Sequence, residues 1–457
     1  MDLSFYKRRF RYSVIDVAFN AGYANFTTPY LQAYAVRLGA SAAQLGSIYF
    51  YQNLISAIPS LIAARFSVNR RIRGKLLLSL GLTNKVMWLP LVLTAFFAFT
   101  VDETVAIVIL ALSISNVCGV MANTIWTKVM ADFVPVERRG KDFGYRNMIG
   151  GIAGFGTLVV TLVLAMLIAP SRLYLIFFGL GVVLGLISWF FLAKMGDPST
   201  IIQPDESVGI KPPTLSDLIS IFRIPAVRFF LLAWGVFQLF FNLPGAVWNL
   251  YLIKYIGGDE IWIAVAALTA VITQSIFSYI WGRFNNSFGA KPILVICSLG
   301  ASFVPIMFLS STTLPLQVVL SVLIGIVLSG IALSSFSYAI TIGPPELRPL
   351  TIAAFNMINA LTIAVGSLLG AFMVEAINIQ SVFMIAAIGR LISVPILVKF
   401  VPEIFQPTSD MKNYLQTHIV RPLEAHAWAQ PILAVHMFED KPCEGKAYLQ
   451  KSKELKY

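Results

Sequence analysis

What constrains this chain most is a succession of long apolar runs, each near the length needed to cross a lipid bilayer. A helix needs ~20 mostly apolar residues to span the hydrocarbon. About twelve such runs follow one another: 13–36, 43–66, 76–99, 104–131, 144–169, 172–194, 226–253, 259–284, 291–312, 314–341, 351–374 and 379–402. A spanning β-barrel would alternate over ~10-residue segments instead, whereas these runs are continuous. The fourth and tenth are long, which fits tilt or extension beyond the hydrocarbon. Charged residues make up 12% of the 457, about half the ~25% of a soluble domain. The first run follows Lys7-Arg8-Arg9-Phe10-Arg11. It exceeds the ~7–15 residues of a signal-peptide core and reads as an uncleaved span.

The chain repeats itself. Pro135-Val136-Glu137-Arg138-Arg139, then Asn147-Met148-Ile149, returns as Pro344-Pro345-Glu346-Leu347-Arg348, then Asn356-Met357-Ile358, each match 209 residues on. Phe19-Asn20 and Tyr30-Leu31 in the first run are answered by Phe241-Asn242 and Tyr251-Leu252 in the seventh. The longest polar segment between runs, 195–225, divides six runs from six. The expected plan is a bundle over 1–194, a cytoplasmic linker over 195–225, a second bundle over 226–402 and a cytoplasmic tail over 403–457.

A net charge of +12 invites a nucleic-acid reading, but 29 of 34 basic residues fall on one side when twelve spans alternate. Such a bias fixes orientation. It places both termini in the cytoplasm of a cell-membrane protein and makes nucleic acid an unsuitable partner. Cys118, Cys297 and Cys443 form no disulfide framework, and His418, His426 and His436 are too dispersed for a metal site. Gly150, Gly151, Gly154 and Gly156 have neither a strand nor a Walker lysine beside them, so close helix packing explains them better than a phosphate loop. No nucleophile–base pair or cofactor motif supports an enzyme, and no cofactor is expected.

Twelve spans in two similar halves, basic loops after spans 2 and 8, and Pro-x-Glu-x-Arg loops after spans 4 and 10 resemble the major facilitator superfamily across 1–402. Gly282 to Lys291 is similar to that family's signature loop, with Asn286 and Ser287 in place of its Asp and Arg. The resemblance implies an all-α membrane fold: twelve transmembrane helices in two pseudo-symmetric six-helix bundles around a central cavity. It also implies that spans 1, 4, 7 and 10 line that cavity.

Helical periodicity tests this. In span 1, Asp16, Asn20, Tyr23, Thr27 and Tyr34 fall within about 40° of one another, with Asn25 opposite. Asn116, Asn123 and Thr127 form a line in span 4. Gln238, Asn242 and Asn249 do so in span 7, where Pro244 and Gly245 break the helix. Ser334 and Tyr338 belong to a softer stripe in span 10. A shared aqueous cavity accounts for the four stripes together, while interhelical hydrogen bonding accounts for any one residue alone. Trp126 and Trp248 flank the stripes.

Of the charges inside spans, Asp16 has two readings: carrier of a coupling proton, or a shallow helix residue within reach of water. Lys85 and Arg390 sit mid-span on spans 3 and 12, where lipid exposure would cost ~3 kcal/mol or more. Pairing within the bundle is favoured for both, and if either reaches the cavity an anionic substrate gains weight. Glu137, Arg139, Arg146, Glu346 and Arg348 are candidates for a cytoplasmic latch, or for simple loop capping. The expected function is secondary active transport of a small organic solute by alternating access, with protons as a candidate coupling ion and a monomer as the working unit. The competing expectation is a transporter-like sensor signalling through the tail.

Overall fold

In the computed structural model, the described residues are 3–402 apart from 57–58, 60–61, 64–65, 67–69, 98, 136–137, 197–219, 312 and 344–346. The protein is all-helical over these residues. The first half comprises α1 (Leu3–Arg37), α2 (Ala42–Ser56), α3 (Arg70–Val86), α4 (Leu89–Phe96), α5 (Val101–Phe133), α6 (Arg139–Leu167) and α7 (Pro170–Met195). The second comprises α8 (Pro225–Asn242), α9 (Trp248–Lys254), α10 (Glu260–Phe288), α11 (Ala290–Ser310), α12 (Leu314–Thr341), α13 (Arg348–Ala376) and α14 (Ile379–Phe400). The repeat is structural: α6 and α13 both have 29 residues and begin at the matched arginines.

Local chemistry sets the boundaries. Thr100 and Glu103 form a reciprocal capping box at the start of α5. The Asp259 carboxylate accepts from the Ile261 and Trp262 amides at α10, and Asn378 caps α14 through Ser381. Spans 3 and 7 are each two helices. Pro90 withholds the amide that would bond the Val86 carbonyl, so α3 stops and α4 restarts. The break at 243–247 follows the Pro244-Gly245 signal.

Among the described residues, ten helical segments are long and apolar enough to cross a membrane. The expected first and second spans fall outside that set. The polar stripe of α1 dilutes its hydropathy, and the described helix of α2 has only 15 residues.

Packing repeats between halves. α1 lies on α6 and α7 as α8 lies on α13 and α14, and α2 and α3 flank α5 as α10 and α11 flank α12. Across the halves, α2 meets α13 and α6 meets α10, pairs that exchange under the same pseudo-two-fold. Gly150 and Gly154 on α6 approach Val17 and Asn25 of α1, whereas a Cβ on Gly151 or Gly156 would meet open space.

Candidate functional site

In the first half, the polar face of α1 is bound into a network of buried charge. Asp16 accepts a hydrogen bond from Ser188 of α7 at 2.7 Å and lies 3.7 Å from the Arg146 guanidinium of α6. Arg146 also donates to Ser13 at 3.0 Å and covers the Trp126 ring. Lys85 turns inward from α3: its Nζ donates to Asn20 Oδ1 at 2.6 Å and stands 3.6 Å from the centre of the Tyr23 ring. One carboxylate, two cations and their polar neighbours thus occupy one polar zone, which removes the cost of lipid exposure. Arg146, a candidate for the cytoplasmic latch, is placed here inside the bundle.

In the second half Arg390 is buried apart from any opposite charge among the described residues. Arg390 is 1% exposed, and no acidic side chain among the described residues pairs with it. Its guanidinium donates to the carbonyls of Phe240 at 3.4 Å, Phe241 at 2.8 Å and Ala301 at 2.8 Å. The positions of these acceptors follow from proline. Pro244 cannot supply the amide due to Phe240, and Pro305, inside α11, cannot supply the one due to Ala301. The Gly245 amide bonds Asn242 instead of Phe241. Arg390 therefore serves carbonyls that two helix irregularities leave open, and ties α8 to α11.

Arg390 also forms part of the wall of a cavity of about 430 Å³, with Trp248, Asn249, Trp262, Phe308 and Gln317. Pro29 of α1 closes one side of it. The other predicted stripe residues divide. Gln238 donates to Asn359 at 3.3 Å while its own Oε1 is buried without a donor. Asn242 turns back to the Gln238 carbonyl. Asn116 bonds the Gln52 carbonyl of α2, Thr27 bonds the Tyr23 carbonyl of its own helix, and Asn123 is exposed. Ser334 bonds the Gly330 carbonyl. Tyr338 packs on Phe230 and donates to the Pro402 carbonyl. Asn25, opposite the stripe, reaches the Gly154 carbonyl of α6.

Contacts between the halves concentrate at one end of the bundle. Arg37 pairs with Glu260 through two hydrogen bonds, at 2.9 and 3.2 Å, and Tyr174 donates to the same carboxylate at 2.5 Å. Gln32 donates to the Gly245 carbonyl at 2.9 Å, and Glu375 accepts from the Ala43 amide at 2.9 Å. A Cβ on Gly46 of α2 would lie 2.4 Å from that of Ala371 on α13, so these helices touch nearly backbone to backbone. Each of these contacts lies toward the Arg37 end of α1. Toward the other end, Asn123, Thr127, Tyr145 and Met148 are exposed.

Of the latch candidates there, Glu137 and Glu346 lie outside the described residues. Arg139 and Arg348 begin α6 and α13, and Arg348 is exposed. The sequence carried no signal for Arg37–Glu260, whose partners are 223 residues apart. Near the same end as the repeated loops, Arg73 and Lys128 hold Asp132 at 2.7 and 3.0 Å. Burial pushes the Asp132 carboxyl up, but these two cations outweigh it and hold the group below its usual range. Among the described residues no three His, Cys, Asp or Glu side chains gather as a metal site would require.

The family model for the Major Facilitator Superfamily matches residues 235–435. No curated protein matches the chain in sequence. Among solved structures, the nucleoside transporter NupG is 14% identical, with 88% of this chain and 98% of that one covered at a TM-score of 0.64. A D-xylose–proton symporter is 15% identical, with 86% and 97% covered at 0.64. The xylose transporter XylE from E. coli, in an inward open conformation, is 14% identical, with 90% and 99% covered at 0.64. At these identities the likeness is one of fold.

Proposed function

We propose that this chain, whose residues 235–435 match the family model for the Major Facilitator Superfamily, is a secondary active transporter that carries a small organic solute between its two halves by alternating access. The observation that carries this reading is that, among the described residues, the hydrogen bonds between the halves lie at one end. Arg37–Glu260–Tyr174, Gln32–Gly245 and Gly46–Ala371 hold the halves together there. Polar Asn123 stays exposed toward the other end, as does Thr127, whose hydroxyl donates to the Asn123 carbonyl, and exposed polar side chains in a membrane protein face water. The skew of basic residues makes the open end cytoplasmic, so this is the inward-facing state, with N- and C-termini in the cytoplasm. The nucleoside and xylose cargoes named for the structural neighbours support a polar organic solute.

The solute's route passes Asn20, Tyr23, Gln238, Asn242 and Asn249. Asp16, the carboxylate buried on the polar face of α1, is the group for proton coupling, because protonation would free Arg146 and Ser188 from it. Return to the outward state requires the Arg37–Glu260 pair to part, and contacts that exist in one state only bias a two-state equilibrium. The tail needed for a sensor lies outside the described residues, and no observation favours that reading.

Uptake into proteoliposomes tests the proposal, using a panel of sugars, nucleosides, amino acids and organic acids with and without a pH gradient. Saturable flux of at least one solute, faster with the gradient, is expected. Absence of flux for the whole panel, in both protein orientations, overturns it.

A further inference from the structure

A guanidinium carries five N–H donors. Arg390 spends three on the carbonyls of Phe240, Phe241 and Ala301, which leaves one on each terminal nitrogen. Those carbonyls and the Phe241 ring supply partial charge, and among the described residues no carboxylate pairs with the guanidinium, so its full positive charge lacks a counter-ion at mid-span. That is costly in a medium of low dielectric, and the group is part of a cavity wall.

The same cavity holds a second unmet need. Gln317 donates through Nε2 to the carbonyls of Phe308 and Ser311, while its Oε1 is buried with no donor. Arg390 is anchored on Ala301 and Gln317 on Phe308, two carbonyls of α11 seven residues apart. At ~1.5 Å rise per residue the two groups stand roughly 10 Å apart along the helix. Trp248, Trp262 and Phe308 contribute aromatic surface to the wall, with the Trp248 ring edge-on to Phe308 at 4.5 Å.

We propose that this cavity binds an elongated organic anion. Its carboxylate takes the two remaining N–H groups of Arg390, its apolar or aromatic body lies along Trp248, Trp262 and Phe308, and an O–H or N–H at its far end donates to Gln317 Oε1. A volume of about 430 Å³ suits an organic acid with one ring. Arg390 then has two tasks, holding the α8–α9 break and α11 together and receiving the anion. Asn249, on the stripe of span 7, is in the same wall, so the site opens on the solute's route. The site names a substrate class only if the transport reading holds. As a binding site it stands on the cavity alone.

Equilibrium binding to the full-length protein in detergent tests this, with tritiated ω-(4-hydroxyphenyl)alkanoates of increasing chain length as probes. In 4-(4-hydroxyphenyl)butyrate the carboxylate and the hydroxyl are separated by about the spacing inferred from α11. Saturable binding is expected for the acids, and about tenfold or more weaker binding for the corresponding primary amides, since a charge-assisted pair is lost. The O-methyl ethers, which cannot donate to Gln317, should bind several-fold more weakly than the phenols, and Gln317→Met should erase that difference.

Arg390→Gln should lose acid binding. Because that variant also disturbs the α8–α11 tie, Ala267→Phe provides the control: it fills the cavity, leaves the guanidinium in place and should abolish binding without unfolding the protein. Equal affinity for acid and amide, full binding by Ala267→Phe, or no carboxylate-dependent binding across the series overturns the site. Binding needs no gradient and no flux. A protein that binds these acids but carries nothing refutes the transport reading alone, whereas flux of neutral solutes without anion binding refutes this site alone.

Discussion

The two halves of this protein bury charge by opposite means. The first places Asp16 among Arg146, Lys85, Ser188 and Asn20, so that each charge has a polar or charged neighbour from another helix. The second buries Arg390 against three backbone carbonyls and one aromatic ring, with no carboxylate beside it among the described residues. Both arrangements satisfy hydrogen bonds, but only the first brings in opposite charge. The first half can therefore change its balance by binding or losing a proton. Around Arg390, the balance changes by taking an anion. A shared ancestral fold, repeated with a 209-residue offset, has been loaded with different electrostatics on its two sides.

Removing Arg390 should have the largest effect. Arg390→Leu would leave the carbonyls of Phe240, Phe241 and Ala301 without donors, at a cost of about 3 kcal/mol or more. Thermal unfolding in detergent would show it as a clear drop in midpoint, with Arg390→Lys recovering part of the loss. A leucine variant as stable as the parent would break the claim that the arginine ties these helices. Asp16→Asn should cost less, about 1–3 kcal/mol, because Ser188 and the other polar neighbours remain. Its sharper signature is functional: flux driven by a pH gradient should vanish while exchange at equal pH persists. Gradient-driven flux that survives the substitution would remove Asp16 as the proton carrier.

The smallest effect concerns Asp132, at the edge of the first half. Arg73 and Lys128 hold its folded-state carboxyl below the unfolded value of ~3.9. A depressed group contributes stability above its unfolded pKa and loses that contribution as pH falls through the folded value. The parent should therefore lose a little stability below about pH 4 that Asp132→Asn has already lost at neutral pH, so the two midpoints should converge on acidification. Parallel curves down to pH 3 would show that the ion pairs contribute nothing.

Much of this was legible in the sequence because it depends on local period and composition. Ten of the twelve expected spans and the break at Pro244-Gly245 follow from residues near one another. The matched starts of α6 and α13 were readable as a repeat before either helix was seen. Arg390 was legible as an anomaly but not as a solution. Its partners are carbonyls at 240, 241 and 301, and backbone acceptors leave no mark in a sequence unless the prolines that free them are matched to a distant donor. Lys85 lies on span 3, outside the four spans expected to line the cavity, and only the rotation of α3 shows that its amine reaches Asn20. Arg37 and Glu260 each read as an ordinary charge at a helix end, since their pairing depends on how the halves dock. The stripe of span 10 is the least informative: Ser334 and Tyr338 share a helical face with polar character, yet their hydroxyls donate to backbone carbonyls inside their own bundle.

Alternating access requires the Gly46–Ala371 contact to open in every transport cycle, and this is the most direct point of attack. A Cβ on Gly46 lies 2.4 Å from that of Ala371, so a separation about 1 Å greater brings cysteines at both positions into the range of a disulfide. Gly46→Cys/Ala371→Cys, with Cys118, Cys297 and Cys443 replaced by alanine, can be oxidised in proteoliposomes and assayed for a solute that the reduced protein carries. The account predicts that cross-linking abolishes flux and that a reductant restores it. Flux that continues undiminished through fully cross-linked protein would contradict it.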